Sequence, residues 1–247
     1  MHHFFVPSEA KRDGRITVTG PDVNHIKNAL RMRAGEVLLI STASEEDFLC
    51  RILSIEERQV EAEIISREQS RELPVRLCLF QGLPKGDKME WIIQKAVELG
   101  AFQVIPVATK NTVVKLDAKK EKAKVERWQA IAESAAKQSE RSLIPQIGRV
   151  MSFQEALAAA AAMDRAWIPY EKEEGMESIR CELKALSAEV KTIGILIGPE
   201  GGFDEEEVRK AREAGVQPVS LGRRILRTET AGLAILSLLM MKAEGAF

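Results

Sequence analysis

From Val75 onward, short apolar runs alternate with stretches of helical periodicity, and this alternation leaves few possible folds. Residues 77–83 and Thr192–Ile197 are near-continuous apolar runs, as in strands that are covered on both faces. Residues 85–99 instead repeat apolar side chains at the 3.6-residue spacing of a helix, and Gly100 follows as a stop. Strands that alternate with helices predict an α/β fold with a mostly parallel sheet flanked by helices.

The same region supplies the other elements of that predicted sheet. The strand expected at residues 166–169 is predicted to lie between loops. We expect further strands at residues 102–107, 166–169 and 216–221, and further helices at residues 117–140, 152–162, 204–214 and 228–241.

Upstream of this region the pattern is that of short strands around one helix. A helix is expected at residues 21–32, because Pro21 and Asp22 suit a first turn. Such an arrangement indicates a small β-barrel. The polar residues 66–74 predict a linker, so we expect two domains, 1–72 and 73–247. The expected strands of the barrel are residues 16–18, 37–40, 49–55 and 60–64.

Composition excludes several classes of protein. The 247 residues are 45% hydrophobic, which is enough for a core, but no apolar run reaches the roughly 18 residues of a membrane span. The start of the chain has no signal-peptide pattern. The three cysteines, Cys50, Cys78 and Cys181, are too scattered for a disulfide framework or a metal site. We therefore expect a cytoplasmic protein without a metal.

Charge is informative through its distribution. The net charge of −1 argues against a generic nucleic-acid binder, yet residues 110–127 carry seven basic side chains against three acidic ones. A charged helix face is often only a solvated face, so this cluster alone does not decide between a solvated surface and an RNA contact.

A glycine-rich turn follows the apolar strand Thr192–Ile197. Residues 198–203 read Gly-Pro-Glu-Gly-Gly-Phe, and acidic residues then open a helix. Glycines at the carboxyl end of a parallel strand let backbone N–H groups approach a ligand. The turn is not a phosphate loop, because it lacks the Gly-Lys-Ser/Thr ending and its acids repel phosphate. A plain strand-to-helix turn is the alternative interpretation.

A second block, residues 220–231, joins the next predicted strand to the last helix. It holds three arginines and a glutamate at the entrance to the most apolar helix of the chain. Thr228 is expected to cap this helix, and Glu229 suits the helix dipole. Capping and surface charge account for Arg223 and Arg224, whereas Arg227 and Glu229 beside a glycine turn favour a functional role.

Together, residues 198–203 and 221–231 make the chain resemble the ribosomal RNA small subunit methyltransferase E family, of the SPOUT superfamily. Further similar segments are residues 4–6, 25–36, 85–90, 95–100 and 138–141. One departure is His3, where relatives often have an arginine, and a neutral histidine would weaken a phosphate contact.

The resemblance implies an N-terminal PUA-like β-barrel that binds RNA and a SPOUT-type parallel sheet with a C-terminal trefoil knot. It implies a homodimer that uses S-adenosylmethionine, releases S-adenosylhomocysteine and methylates N3 of uridine 1498 in the 16S rRNA of the small ribosomal subunit. Two alternatives stay open: a SPOUT methyltransferase with another RNA target, such as a tRNA or rRNA ribose 2′-oxygen, and a non-catalytic RNA-binding assembly factor.

With that resemblance, the site can be assigned by residue. Arg227 would stabilise the anionic uracil or hold its phosphate, Glu229 or Glu200 would take the proton, and Arg141 would reach across a dimer interface. The expected cofactor-binding residues are Leu196, Ile197, Gly198, Pro199, Glu200, Gly201, Gly202, Leu221, Gly222, Ile225, Leu226, Arg227, Thr230 and Ala231. The expected RNA-binding residues are Lys27, Arg31, Arg33, Lys110, Lys115, Lys119 and Lys124.

Overall fold

The computed structural model describes residues 1–173 and 175–247. Contacts divide the chain into two compact units, one of Met1–Glu72 with Ala136–Ile144 and one of Leu73–Ala135 with Pro145–Phe247. The two domains expected from the sequence, 1–72 and 73–247, stay a prediction. In the structure, Ala136–Ile144 groups with the first unit.

The first unit is built on one curled, mostly antiparallel sheet. Its strands are β1 (His3–Val6), β2 (Lys11–Arg12), β3 (Arg15–Thr19), β4 (Val37–Thr42), β5 (Asp47–Ile55) and β6 (Gln59–Glu68). The order is β1-β4-β5-β6-β3-β2, with β1 parallel to β4. Alternate residues such as Ile16 and Val18 face a core that also holds Phe4, Ile26 and Ile52. The predicted barrel is therefore an open half-barrel.

Two sequence-based expectations in this unit were wrong in detail. The helix expected at 21–32 is only α1 (Pro21–Asn24), continued by a π-helical turn at His25–Ala29. Arg31, with a φ of 54°, lies in the left-handed region just beyond this turn, where a helix does not continue. The linker expected at 66–74 was placed too early, because residues 66–68 still belong to β6 and pair with β5. Backbone hydrogen bonds form this pairing, so the polar side chains of these residues do not prevent it.

The second unit confirms the predicted α/β class. Seven strands, all paired in parallel, follow the order β10-β8-β7-β12-β11-β13, with β9 beside β8. These strands are β7 (Arg76–Gly82), β8 (Ala101–Ala108), β9 (Gln146–Ile147), β10 (Met151–Ser152), β11 (Arg165–Pro169), β12 (Thr192–Ile197) and β13 (Gln217–Val219). The helices are α2 (Lys88–Glu98), α3 (Ala118–Gln138), α4 (Phe153–Ala161), α5 (Glu177–Ala185), α6 (Glu205–Glu213) and α7 (Thr228–Ala243).

Helix packing follows from the sequence pattern, with one exception. The apolar stripe of α2, including Ile92, Ile93 and Val97, is buried as its 3.6-residue spacing predicts. Helix α5 lies in a segment that was expected to be a loop, although Ile179, which is buried, and Leu183 have the spacing of one helix face. No described helix is long and apolar enough to cross a membrane.

The sheet order places β7 and β12 side by side, so their carboxyl ends meet. The approach there is so close that a Cβ on Gly82 would lie 2.6 Å from the Pro199 nitrogen. A glycine is therefore needed at the end of β7. The trefoil knot implied by the resemblance stays a prediction.

Candidate active site

The main cavity of the second unit lies at the carboxyl edge of its sheet, where ligands bind in open α/β folds. Its volume is about 490 Å³. Three loops line it, those that follow β12, β13 and β11, together with the start of α7. The lining residues are Lys88, Pro169, Tyr170, Glu171, Ile197, Gly198, Pro199, Glu200, Gly201, Gly202, Phe203, Leu221, Gly222, Arg224, Ile225, Leu226, Arg227, Thr228 and Ala231.

The glycine loop after β12 is a tightly closed turn. A Cβ on Gly198 would lie 2.9 Å from the carbonyl carbon of Gly202, and Gly202 itself has a φ of 65°. The Asn111 side chain donates hydrogen bonds to the carbonyl oxygens of Gly201 and Gly202, at 3.0 and 3.2 Å. Asn111, which is not a lining residue, thus holds this wall of the cavity in place. The glycines of the wall keep side chains out of the cavity.

Thr228 lines the cavity and joins the first turn of α7 to the glycine loop and to the end of β7. Its hydroxyl donates a hydrogen bond of 2.6 Å to the Gly198 carbonyl oxygen and accepts one of 2.8 Å from Gln81 Nε2. The residue is the first of α7, and Arg227 occupies the N-cap position without a side-chain cap. The expectation that Thr228 caps the helix was therefore wrong, because its hydroxyl is used to hold the glycine loop.

Glu200 is held as an anion. Its carboxylate accepts hydrogen bonds from Lys88 Nζ at 2.7 Å and from the Lys85 backbone N–H at 3.0 Å. Desolvation pushes the pKa of Glu200 up, but these hydrogen bonds outweigh it and leave the pKa below its ordinary value. A carboxylate with a lowered pKa is a weaker base, so this residue is better suited to bracing the loop than to taking a proton.

Glu229 lies in the first turn of α7, and it is not among the residues that line the cavity. Its side chain is half-buried, and its Oε2 atom is buried without a hydrogen-bond donor among the residues that the structure describes. Of the two glutamates assigned to proton transfer, this is the one that keeps an oxygen unbonded.

Cationic and apolar side chains meet at the mouth of the cavity. Arg224 and Arg227 are exposed and line it, whereas Arg223 is exposed without lining it. Between them Ile225 is 85% exposed.

The structure brings together 12 of the 14 residues that the sequence assigned to the cofactor. The two outside the lining are Leu196, which faces the opposite side of β12 and is buried in the core, and Thr230, which is exposed on α7. Sequence reasoning missed the loop after β11, with Tyr170 and Glu171. The rule that ligands bind beyond the carboxyl ends of parallel strands would have found it, because a strand had been predicted to end at residue 169.

Arg141 belongs to the first unit, and its side chain is only 5% exposed. Its Nε donates to both carboxylate oxygens of Glu72, at 2.9 and 3.0 Å, and its Nη2 completes the ion pair. Within this chain, Arg141 thus has a structural contact, and its expected catalytic role stays a prediction.

The expected RNA-binding residues fall into two sets. Lys27, Arg31 and Arg33 are exposed on the first unit, and Lys115 and Lys119 are exposed on the second. The ammonium groups of the other two already contact side chains of this chain. Lys110, although exposed, forms an ion pair with Asp204 at 2.9 Å, and Lys124 lies over the Trp128 ring.

Fold and site together define the class of protein. Residues 71–240, which contain the whole cavity, match the family model described as an RNA methyltransferase domain, and residues 18–65 match that of an RNA methyltransferase PUA domain. The chain is thus an RNA methyltransferase. It belongs to the ribosomal RNA small subunit methyltransferase E family, as the sequence resemblance had indicated.

Three similar proteins support this assignment. The family member of Bacillus subtilis is 40% identical over 93% of this chain and 91% of its own length. That of Mesomycoplasma hyopneumoniae is 33% identical over 96% of this chain and 98% of its own. The crystal structure of the Neisseria gonorrhoeae member bound to S-adenosyl methionine is 32% identical, with a TM-score of 0.83 over 98% of this chain and 97% of that one.

Proposed function

We propose that this protein transfers the methyl group of S-adenosylmethionine to N3 of uridine 1498 in 16S rRNA. The observation that carries the proposal is the glycine-walled cavity between residues 198–203 and 221–228, inside a chain of the methyltransferase E family. The RNA position comes from the family resemblance, and the cofactor is the one bound to the Neisseria gonorrhoeae relative.

The residues of the cavity fit this cofactor. A volume of about 490 Å³ is within the usual range for a molecule of this size. Gly198 and Gly202 keep side chains off one wall, and Leu226 and Ala231 are apolar partners for an adenine ring. Glu171 is an acceptor for hydroxyl or ammonium groups. When bound, S-adenosylmethionine supplies a methyl group that its sulfonium already activates.

The rest of the mechanism concerns the uracil, whose N3 must lose its proton to become a nucleophile. We assign Arg227 to the negative charge that forms on the ring, because its exposed guanidinium lies at the cavity. A cation there lowers the pKa of the N3–H group and eases transfer of the proton to solvent. Holding the base in line for attack contributes further, up to about 7–11 kcal/mol.

Neither glutamate is as well placed as solvent to take the N3 proton. Glu200 is already bonded to Lys88 and to the Lys85 N–H, and Glu229 lies outside the cavity lining. The proposal therefore rests on Arg227, with Glu200 as a brace for the glycine loop.

The experiment uses small ribosomal subunits from cells that lack this gene, incubated with the protein and radiolabelled S-adenosylmethionine. The digested RNA should carry the label in N3-methyluridine. Label in a 2′-O-methyl nucleoside would support the alternative SPOUT reaction. Tight RNA binding without label would support the non-catalytic assembly factor.

A further inference from the structure

Glu171, in the loop after β11, places a carboxylate on the wall of the cavity. Its two carboxylate oxygens lie 3.5 and 3.6 Å from the position that a Cβ on Gly202 would take, so the group lies against the glycine loop. The other lining carboxylate, Glu200, already forms an ion pair with Lys88 at 2.7 Å. Among the cavity-lining residues that the structure describes, Glu171 is therefore the anion that has no ion pair.

The chain on both sides of Glu171 restricts the position of this carboxylate. Strand β11 ends two residues earlier, which fixes the start of the loop. After Glu171, Lys172 forms an ion pair with Glu205 at the beginning of α6. The next residue, Glu173, accepts a hydrogen bond of 2.6 Å from Arg212 on the same helix. The loop is thus attached to α6 immediately beyond Glu171, and the carboxylate stays beside the cavity.

The chemistry of the cofactor gives this anion a role. The site must hold a positively charged sulfonium before methyl transfer and a neutral thioether afterwards, because the electron pair of the broken carbon–sulfur bond stays on sulfur. Cofactor and product otherwise share their adenine, ribose, ammonium and carboxylate groups, so charge distinguishes them. Arg224 and Arg227, both exposed at the cavity, disfavour a bound cation, and a carboxylate in the cavity offsets their effect.

We propose that Glu171 is the residue through which the cavity prefers its cationic cofactor to the neutral product. This inference rests on the proposed function, because it takes S-adenosylmethionine to be the methyl donor. Two opposite charges a few ångströms apart change an affinity several-fold even when solvent screens them. The preference helps the site to exchange product for cofactor after each transfer. Glu171 is thus a specificity-determining residue.

The first test is calorimetry with S-adenosylmethionine and S-adenosylhomocysteine, which measures binding without methyl transfer. Glu171→Gln keeps a hydrogen-bond acceptor and removes the charge. It should weaken binding of the cofactor about three- to tenfold and leave that of the product within about twofold, whereas Glu171→Asp should keep the preference. Glu189→Gln is the matched control, because Glu189 is exposed and does not line the cavity.

The second test repeats the titrations at rising salt concentration. Screening should weaken binding of S-adenosylmethionine more than that of S-adenosylhomocysteine in the wild type, and this difference should shrink in Glu171→Gln. Equal losses for both ligands in Glu171→Gln, or no loss for either, would overturn the inference alone, because the two ligands share every group except the sulfonium. A wild-type protein that binds neither ligand would refute the proposed function, and this inference with it.

Discussion

The Thr228 hydroxyl donates a hydrogen bond of 2.6 Å to the carbonyl oxygen of Gly198, and so ties the first turn of α7 to the glycine loop. Gln81 completes the link from the end of β7, with a bond of 2.8 Å to the same hydroxyl. One side chain thus fixes three neighbouring elements, and the cavity depends on all of them.

Thr228→Val keeps the shape of the side chain and removes both bonds. We expect the free energy of unfolding to fall by about 1–3 kcal/mol, because buried polar groups lose their partner. The dissociation constant for S-adenosylmethionine should rise about tenfold, since the loop is no longer held. Urea unfolding and calorimetry measure the two effects. Thr19→Val, on an exposed position of β3, is the control, and equal losses in both variants would contradict the account.

Arg227→Ala should cut kcat by at least about 100-fold and leave the dissociation constant for S-adenosylmethionine within threefold. We expect kcat to fall because the variant lacks the guanidinium charge, which stabilises the uracil mainly as its ring becomes anionic. Single-turnover rates and calorimetry separate the two quantities. Arg180→Ala, on exposed α5, is the control. Loss of cofactor affinity with the rate intact would refute the assignment.

Glu200→Gln and Glu229→Gln should each change kcat less than Arg227→Ala does. Neither should remove the rise of the rate with pH that comes from ionisation of the uracil N3–H. A pH–rate profile of the three variants provides the comparison. A flat profile for one glutamine variant would identify that glutamate as the general base.

His3 makes the stability of the fold depend on pH. Its ring is buried, with Nε2 2.7 Å from the Ser41 hydroxyl, and desolvation lowers its pKa from 6.5 to about 4, although Asp47 opposes the shift. The unfolded chain binds this proton first, so the contribution of His3 is complete above pH 6.5 and declines toward pH 4. The decline should be on the order of 2–3 kcal/mol in denaturant unfolding.

His3→Gln should flatten this part of the stability curve, whereas His2→Gln, at an exposed position, should not. The sequence analysis expected a weakened phosphate contact at this position, where relatives often have an arginine. The burial agrees with that expectation, because a His3 side chain that is 5% exposed has little surface for a phosphate. A curve that is equally steep in His3→Gln would show that other groups carry the dependence.

Breaking the Arg141–Glu72 ion pair should destabilise the first unit. Arg141→Ala removes the cation from the largely shielded Glu72 carboxylate, which keeps a hydrogen bond from the Ser142 N–H, and the expected cost is about 2–4 kcal/mol in the free energy of unfolding. Arg209→Ala breaks exposed pairs on α6 and should cost at most about 1 kcal/mol. A small loss for Arg141→Ala, together with a large fall in kcat, would favour its expected role across a dimer interface.

The exposed lysines give an RNA-binding prediction. Lys119→Gln should reduce the slope of log affinity against log salt by about 0.7, if its ammonium contacts one phosphate of a single strand. Lys191→Gln, which removes an ammonium bonded to the Ala188 carbonyl oxygen, is the control. Filter binding at several salt concentrations measures both slopes, and an unchanged slope would remove Lys119 from the RNA surface.

The sequence predicted those features that depend on local pattern. The apolar strand Thr192–Ile197 and the glycine turn after it were found, because burial on both faces and close backbone approach each demand particular residues. The sequence did not predict that the sheet of the first unit stays open, because closure of a barrel depends on pairing between strands that are remote in sequence. Helix α5 was missed although Ile179 and Leu183 have helical spacing, because this stripe is short and the rest of the helix is polar. The role of Thr228 could not be predicted, because its partners are remote in sequence.

The most direct test of the central claim is a map of the modification in 16S rRNA. A methyl group on N3 of uridine blocks base pairing and stops reverse transcriptase. RNA from a strain without this gene should give read-through at position 1498, the wild-type gene should restore the stop, and the Arg227→Ala gene should not. A stop that persists without the gene, or one restored at another position, would contradict the account.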